Sequence, residues 1–170
     1  ANPLYDNLIG DHATNDACFL RQPGKPAVSF RQFSELTSQV ANLLLKHGLK
    51  PGDRVAVQAS KTIEMVILYG ATIQAGGVFL SLNTDYKKDE ISYFIKDASP
   101  KIFVCDPQKR KDLEDIADQV GSQVLTLDKD GQGSLQSQAN ILSKTFNTID
   151  RGPDDLVALL YTSGTTGRSK

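Results

Sequence analysis

Apolar and polar positions along this chain alternate between helical and strand periods. Ser29-Phe30-Arg31-Gln32 fits a capping box, with a hydroxyl at the cap and an amide three residues on. Phe33, Leu36, Val40, Leu43 and Leu44 follow at helical spacing and predict one buried stripe. Gly48 is placed to end that helix, and Pro51 prevents its continuation. Val55-Ala56-Val57 reads as a short strand. Ser60 then offers a cap for a second helix carrying Ile63, Val66, Ile67 and Ile73 up to Gly76-Gly77, and Val78-Phe79-Leu80 is the next strand.

A third helix is predicted from Lys88 to Ala98, with Ile91, Phe94 and Ile95 on one face and Pro100 closing it. Ile102 to Cys105 is a strand, Leu113, Ile116, Ala117 and Val120 mark a fourth helix, and Val124 to Leu127 another strand. Asp130 to Ser134 reads as a turn. Gln136 to Pro153 is a polar connector, with one short helix near Leu135 to Ile141. Leu156 to Tyr161 is a fully apolar strand. This order predicts an α/β fold: a layered, largely parallel sheet with flanking helices.

Composition narrows the function classes. The 170 residues suffice for one domain with a core. The apolar fraction of 39% and charged fraction of 23% are those of an ordinary globular protein. Nineteen basic and 20 acidic residues leave a net charge of -1, so nucleic acid is not the expected partner and a small molecule is. No apolar stretch is long enough to span a bilayer. The first residues lack a secretory pattern, so a cytoplasmic location (or an organelle matrix) is expected. Cys18 and Cys105 form no CxxC pair. With only His12 and His47 besides, no zinc site is expected. Asp112, Glu114, Asp115 and Asp118 fall on the polar face of their helix, and Lys109-Arg110-Lys111 reads as a solvated helix start. The Tyr93-Phe94 pair is expected in the core. His47 suits a helix C-terminus.

The candidate chemistry sits at the end. The last apolar strand runs straight into Thr162-Ser163-Gly164-Thr165-Thr166-Gly167-Arg168-Ser169-Lys170. Two glycines let a bulky anion approach the main chain, and successive N–H groups can converge on phosphate oxygens. The hydroxyls of Thr162, Ser163, Thr165 and Thr166 add donors and suit Mg²⁺, a hard cation. Arg168 and Lys170 supply positive charge. The spacing excludes a Walker A loop, since two residues separate the glycines and the lysine follows the second by three. On these physical grounds a phosphate cradle and a plain Ser/Thr/Gly turn stand level.

Tyr161 to Lys170 is similar to the AMP-binding signature of the adenylate-forming superfamily, which includes acyl-CoA synthetases and nonribosomal peptide adenylation domains. Leu49-Lys50-Pro51-Gly52-Asp53-Arg54-Val55-Ala56-Val57 and Gln74-Ala75-Gly76-Gly77-Val78-Phe79-Leu80 resemble further segments of the same family, in the same order. Leu82-Asn83-Thr84, Tyr93-Phe94-Ile95, Val104-Cys105-Asp106-Pro107, Asp130 to Leu135, and Arg168-Ser169-Lys170 resemble the malonyl-CoA synthetase group in particular. Two positions depart from the pattern. Ser81 replaces the usual Pro, and Lys87 replaces a helix-capping Thr, which leaves Glu90 without its capping-box partner.

The resemblance implies an AMP-forming acid–CoA ligase. A small carboxylate, malonate or methylmalonate, attacks the α-phosphorus of ATP to give acyl-AMP and pyrophosphate, and the thiol of coenzyme A then displaces AMP. It implies that Thr162, Ser163, Gly164, Thr165, Thr166 and Gly167 hold the β- and γ-phosphates. Thr162 lies near Mg²⁺, Lys170 contacts phosphate, and Arg168 sits at an exposed tip. No catalytic side chain is implied within residues 1–170. These residues would be the N-terminal part of the large AMP-binding domain, ending in the phosphate-binding loop. The rest of that domain and a small C-terminal domain lie downstream in relatives, so 1–170 alone should be inactive and should present apolar surface to that missing part. Two alternatives stay open: an adenylation domain that loads a carrier protein, and a non-catalytic nucleotide-binding or interaction module.

Overall fold

The computed structural model describes residues 2–156 and 158–160. Its centre is a five-stranded parallel sheet in the order β6-β5-β3-β4-β7, formed by β3 (Arg54–Gln58), β4 (Val78–Ser81), β5 (Ile102–Cys105), β6 (Gln123–Thr126) and β7 (Ala158–Leu160). A separate antiparallel pair, β1 (Cys18–Leu20) and β2 (Val28–Ser29), precedes it.

Both faces of the sheet are covered, as a parallel sheet requires. Alternate residues of each strand serve two cores. Val55, Val57, Phe79, Ile102, Val104 and Leu125 face one side, where α2 (Phe30–Lys46), α3 (Ile63–Gln74) and α6 (Ser134–Ala139) pack. Ala56, Leu80, Phe103 and Cys105 face the other, against α4 (Lys88–Ala98) and α5 (Arg110–Gln119). This two-residue alternation is why the runs Val55–Val57, Val78–Leu80 and Ile102–Cys105 are apolar on both faces rather than amphipathic.

The helix signals act largely as read. Ser29 Oγ accepts from the Gln32 N–H at 3.1 Å, and Gln32 Oε1 accepts from the Ser29 N–H at 2.9 Å, closing the capping box of α2. Gly48 follows α2 with φ +88° and His47 is its C-cap. α4 spans Lys88–Ala98, as its periodicity predicts.

Five expectations are corrected. Thr62, not Ser60, caps α3: its Oγ1 accepts from the Met65 N–H at 3.3 Å from an extended backbone. Both hydroxyls fit the pattern, and only the chain path out of β3 selects between them. Val66 is 38% exposed, and α3 buries Leu68 and Ala71 beside the expected Ile67 and Ile73. Tyr93 is 37% exposed and meets Phe94 edge-on, so Phe94 alone of the pair is core. Glu90 keeps half of its capping box, because its carboxylate accepts the Lys87 backbone N–H at 3.1 Å whatever the side chain at 87. Strand β6 is shifted back one residue to Gln123–Thr126.

The hydrophobic periodicity marks no element before residue 29. There the chain forms α1 (Pro3–Leu8), a 3₁₀ turn at Gly10–His12 and the β1–β2 pair. These pieces are too short to show a period. Of the last strand, Ala158–Leu160 is seen, while Val157 and Tyr161 lie outside the described residues.

Candidate functional site

The sheet's topology creates a crevice before any side chain is considered. Strand β3 lies between β4 and β5. The chain leaves β3 for α3 on one face, and leaves β4 and β5 for α4 and α5 on the other. In open α/β sheets, ligands bind at the carboxyl ends of strands where connections diverge in this way.

Gln58, the last residue of β3, stands at that edge with 1% of its surface exposed. Its Nε2 donates to the carbonyls of Asn83 (2.9 Å) and Tyr86 (3.2 Å), tying down the loop that leaves β4. Asn83 Oδ1 accepts the Asp85 N–H at 2.9 Å, and Lys109 Nζ donates to the Thr84 carbonyl at 3.1 Å. The loop 82–86 is therefore held from β3, from within, and from the start of α5. Gln58 Oε1 is buried without a hydrogen-bond partner among the described residues. Cys105, in register with Gln58, is fully buried, and burial pushes its thiol up to about 11.

Strand β7 connects this edge to the glycine-rich segment. Its partner pairs are Phe79 with Ala158, Leu80 with Leu159, and Ser81 with Leu160. Thus β7 ends level with β4, about 4.8 Å away by the usual strand spacing, beside the restrained loop 82–86. The next residue is Tyr161. The residues implied in phosphate and metal binding, Thr162, Ser163, Gly164, Thr165, Thr166, Gly167 and Lys170, lie outside the described residues. The structure places the strand that leads into them.

Other candidates resolve into ordinary roles. On α5, Asp112, Asp115 and Asp118 are exposed, and Glu114 pairs with Arg110 at 3.6 Å. A cavity of about 440 Å³ lies between α2, α3 and α6, but its charges answer each other: Lys25 with Glu64 at 3.9 Å and Lys144 with Glu35 at 3.8 Å. Among the described residues no group of three or more His, Cys, Asp or Glu side chains is placed to hold a metal. No helix among them is long and apolar enough to cross a membrane.

Gln58 and Asn83 were not singled out by sequence reasoning as site residues. The one available signal is a polar side chain, Gln58, closing the apolar run Val55-Ala56-Val57.

A parallel sheet with divergent connections, whose edge strand is followed in sequence by a Thr/Ser/Gly segment, defines an open, layered α/β protein. Residues 11–170 match the AMP-binding enzyme family, and the chain belongs to it. The chain is 47% identical to MatB from Rhodopseudomonas palustris in its apo form, with a TM-score of 0.94 over 98% of this chain and 33% of that one. The ATP-bound form of the same protein gives 48% identity and a TM-score of 0.95, again over 98% of this chain and 33% of that one. Tyrocidine synthase 2 of Brevibacillus parabrevis is 36% identical over 143 residues, which are 84% of this chain and 4% of that protein. The chain therefore spans about a third of the MatB structures it matches and a much smaller share of tyrocidine synthase 2.

Proposed function

We propose that residues 1–170 are the N-terminal part of the large domain of an AMP-forming acid–CoA ligase whose substrate is malonate or methylmalonate. The observation that carries this reading is the placement of β7. Its end, level with Ser81, stands at the carboxyl edge of a parallel sheet, and the signature Tyr161 to Lys170 follows directly in sequence. The segments that resemble malonyl-CoA synthetases support the choice of acid and acceptor, and identity of 47% to MatB is in keeping with them. Crystals of MatB with ATP bound support ATP as the nucleotide.

In this mechanism the protein positions groups and neutralises charge. Main-chain N–H groups and hydroxyls of Thr162, Ser163, Gly164, Thr165, Thr166 and Gly167 hold the β- and γ-phosphates, and Lys170 adds charge there. That grip leaves the α-phosphorus open to the incoming carboxylate, and pyrophosphate departs as acyl-AMP forms. The thiol of coenzyme A then attacks the acyl carbon and AMP leaves. The oxygen-only donor set around Thr162 fits Mg²⁺, which would neutralise phosphate charge when bound. The adenine, the acid and coenzyme A are met by the downstream part of the protein. The reaction needs only soluble substrates, consistent with a cytoplasmic or organelle-matrix setting.

The test is product analysis on the complete protein with ATP and malonate, methylmalonate or acetate. AMP and pyrophosphate are expected, with malonate or methylmalonate preferred to acetate. ADP as product, or no turnover of ATP, rejects the ligase. A second reading, loading of a carrier protein, has the likeness to tyrocidine synthase 2 in its favour. Release of free acyl-CoA when coenzyme A is added separates the two.

A further inference from the structure

The polar connector between β6 and β7 must cross from one edge of the sheet to the other, and it does so without secondary structure from residue 143 to 152. Such a segment has no ladder to satisfy its carbonyls, so partners must come from elsewhere. They come from side-chain amides. Gln39 Nε2 donates to the carbonyls of Asn140 (3.2 Å) and Leu142 (3.1 Å). Asn42 Nδ2 donates to those of Ser143 (3.0 Å) and Thr145 (2.9 Å). Gln74 Nε2 reaches Thr148 Oγ1 at 3.4 Å, and the Ile149 N–H donates to the Gln74 carbonyl at 2.9 Å.

The last fastening belongs to the N-terminal segment. Asn2 is 1% exposed. Its Nδ2 donates to the Ile73 carbonyl at 2.8 Å and the Ile149 carbonyl at 3.2 Å, joining the end of α3 to the connector. Its Oδ1 accepts the Tyr5 N–H at 3.3 Å and so caps α1. One buried amide thus clips three segments together at Ile149. Beyond it Arg151 donates to the Leu156 carbonyl at 3.3 Å, the Gly152 N–H meets the Asp155 carboxylate at 2.6 Å in the turn Gly152–Asp155, and then β7 begins.

We infer that Asn2 is a positioning residue for nucleotide binding: it fixes the connector at Ile149 and thereby the register at which β7 pairs with β4 and presents the phosphate-binding segment. The inference rests on the ligase reading above. A one-residue slip of a strand turns every side chain to the opposite face and moves its end by about 3.3 Å. Displacements of about 1 Å already weaken a positioned reactant strongly. Among the described residues Asn2 bonds Tyr5, Asp6, Ile73 and Ile149, so its effect passes through the connector.

N2D is the sharpest variant. It keeps an acceptor for the Tyr5 N–H and removes the donor to both carbonyls. T148V loosens the same connector from the Gln74 side. In the complete protein, each is tested by ATP–pyrophosphate exchange with malonate and by amide hydrogen exchange. N2D is expected to raise the KM for ATP about tenfold, while the KM for malonate stays within about twofold, in keeping with the loss of two hydrogen bonds. Hydrogen exchange should quicken across 145–156 and stay unchanged across 88–105. T148V should give the same split, smaller. An N2D protein with wild-type KM for ATP and wild-type exchange across 145–156 overturns the inference. So does an equal rise in both KM values with faster exchange throughout, which would mean general loosening. A wild-type protein that exchanges no pyrophosphate with any acid rejects the ligase reading itself.

Discussion

At Gln58 a single fully buried side chain donates to two carbonyls, those of Asn83 and Tyr86, and the Asn83 carbonyl also accepts the Tyr86 N–H at 3.1 Å. Q58L should cost about 1–3 kcal/mol in urea unfolding, because it removes two hydrogen bonds at about 0.5–1.5 kcal/mol each. A variant as stable as the wild type would show that the loop 82–86 finds water or another donor. Nothing in the sequence distinguished this glutamine from the exposed polar residues around it. Its role depends on where β4 ends, which is a tertiary fact. The two cysteines diverge for a comparable reason. Cys18 is exposed, and Cys105 is buried with its thiol raised to about 11. Alkylation with subsequent peptide mapping should label Cys18 readily at pH 8 and leave Cys105 unmodified until the protein unfolds. The raised thiol also makes stability depend on pH. Below pH 9 the Cys105 thiol is neutral folded or unfolded. From pH 9 towards about 11 the unfolded chain ionises first, so this residue's contribution to stability is progressively lost.

Elements were legible where the period was long. Helices α2 and α4 and strands β3, β4 and β5 can be read from spacing and caps, since each presents a continuous apolar face. The pieces before Ser29 were not, being too short for a period and stabilised by contact: Phe19, for instance, packs between Phe30 and Phe33 at ring distances of 4.5 and 4.7 Å. Caps carry testable weight. S29A removes the Oγ acceptor of α2 and should cost about 1 kcal/mol, read by chemical denaturation. The turn from α3 to β4 is more demanding. Gly76 adopts φ +77°, and a Cβ there would stand 2.8 Å from Ile149 Cγ2. G76A therefore meets backbone strain and the connector together, and should cost about 1–3 kcal/mol. A substitution that cost no more than a surface change would mean that Ile149 can move aside freely.

Over the whole molecule, the helices cover both faces of the sheet, yet some apolar surface remains open. Ile141 is 81% exposed and Leu156 is 48% exposed, one at each end of the connector. Isolated apolar side chains on a surface are common, so exposure alone identifies no partner. Scale adds a separate argument, because the chain spans 33% of the MatB structures that it matches so closely. The signature itself was legible in the sequence as ten consecutive residues. The groups that must surround a nucleotide on its other sides were not, since binding surfaces are assembled from distant parts of a chain. On the ligase reading proposed above, residues 1–170 supply only one wall of that site. An enclosing site is needed to orient two reactants and exclude water, and one wall does neither. Residues 1–170 prepared alone should therefore show no ATP–pyrophosphate exchange with malonate, under conditions where the complete protein exchanges readily. Circular dichroism on the same sample checks that the shorter chain is folded. Exchange by the folded 1–170 at even about one hundredth of the full rate would show that this wall is itself a catalytic unit, and the division of labour proposed here would fail.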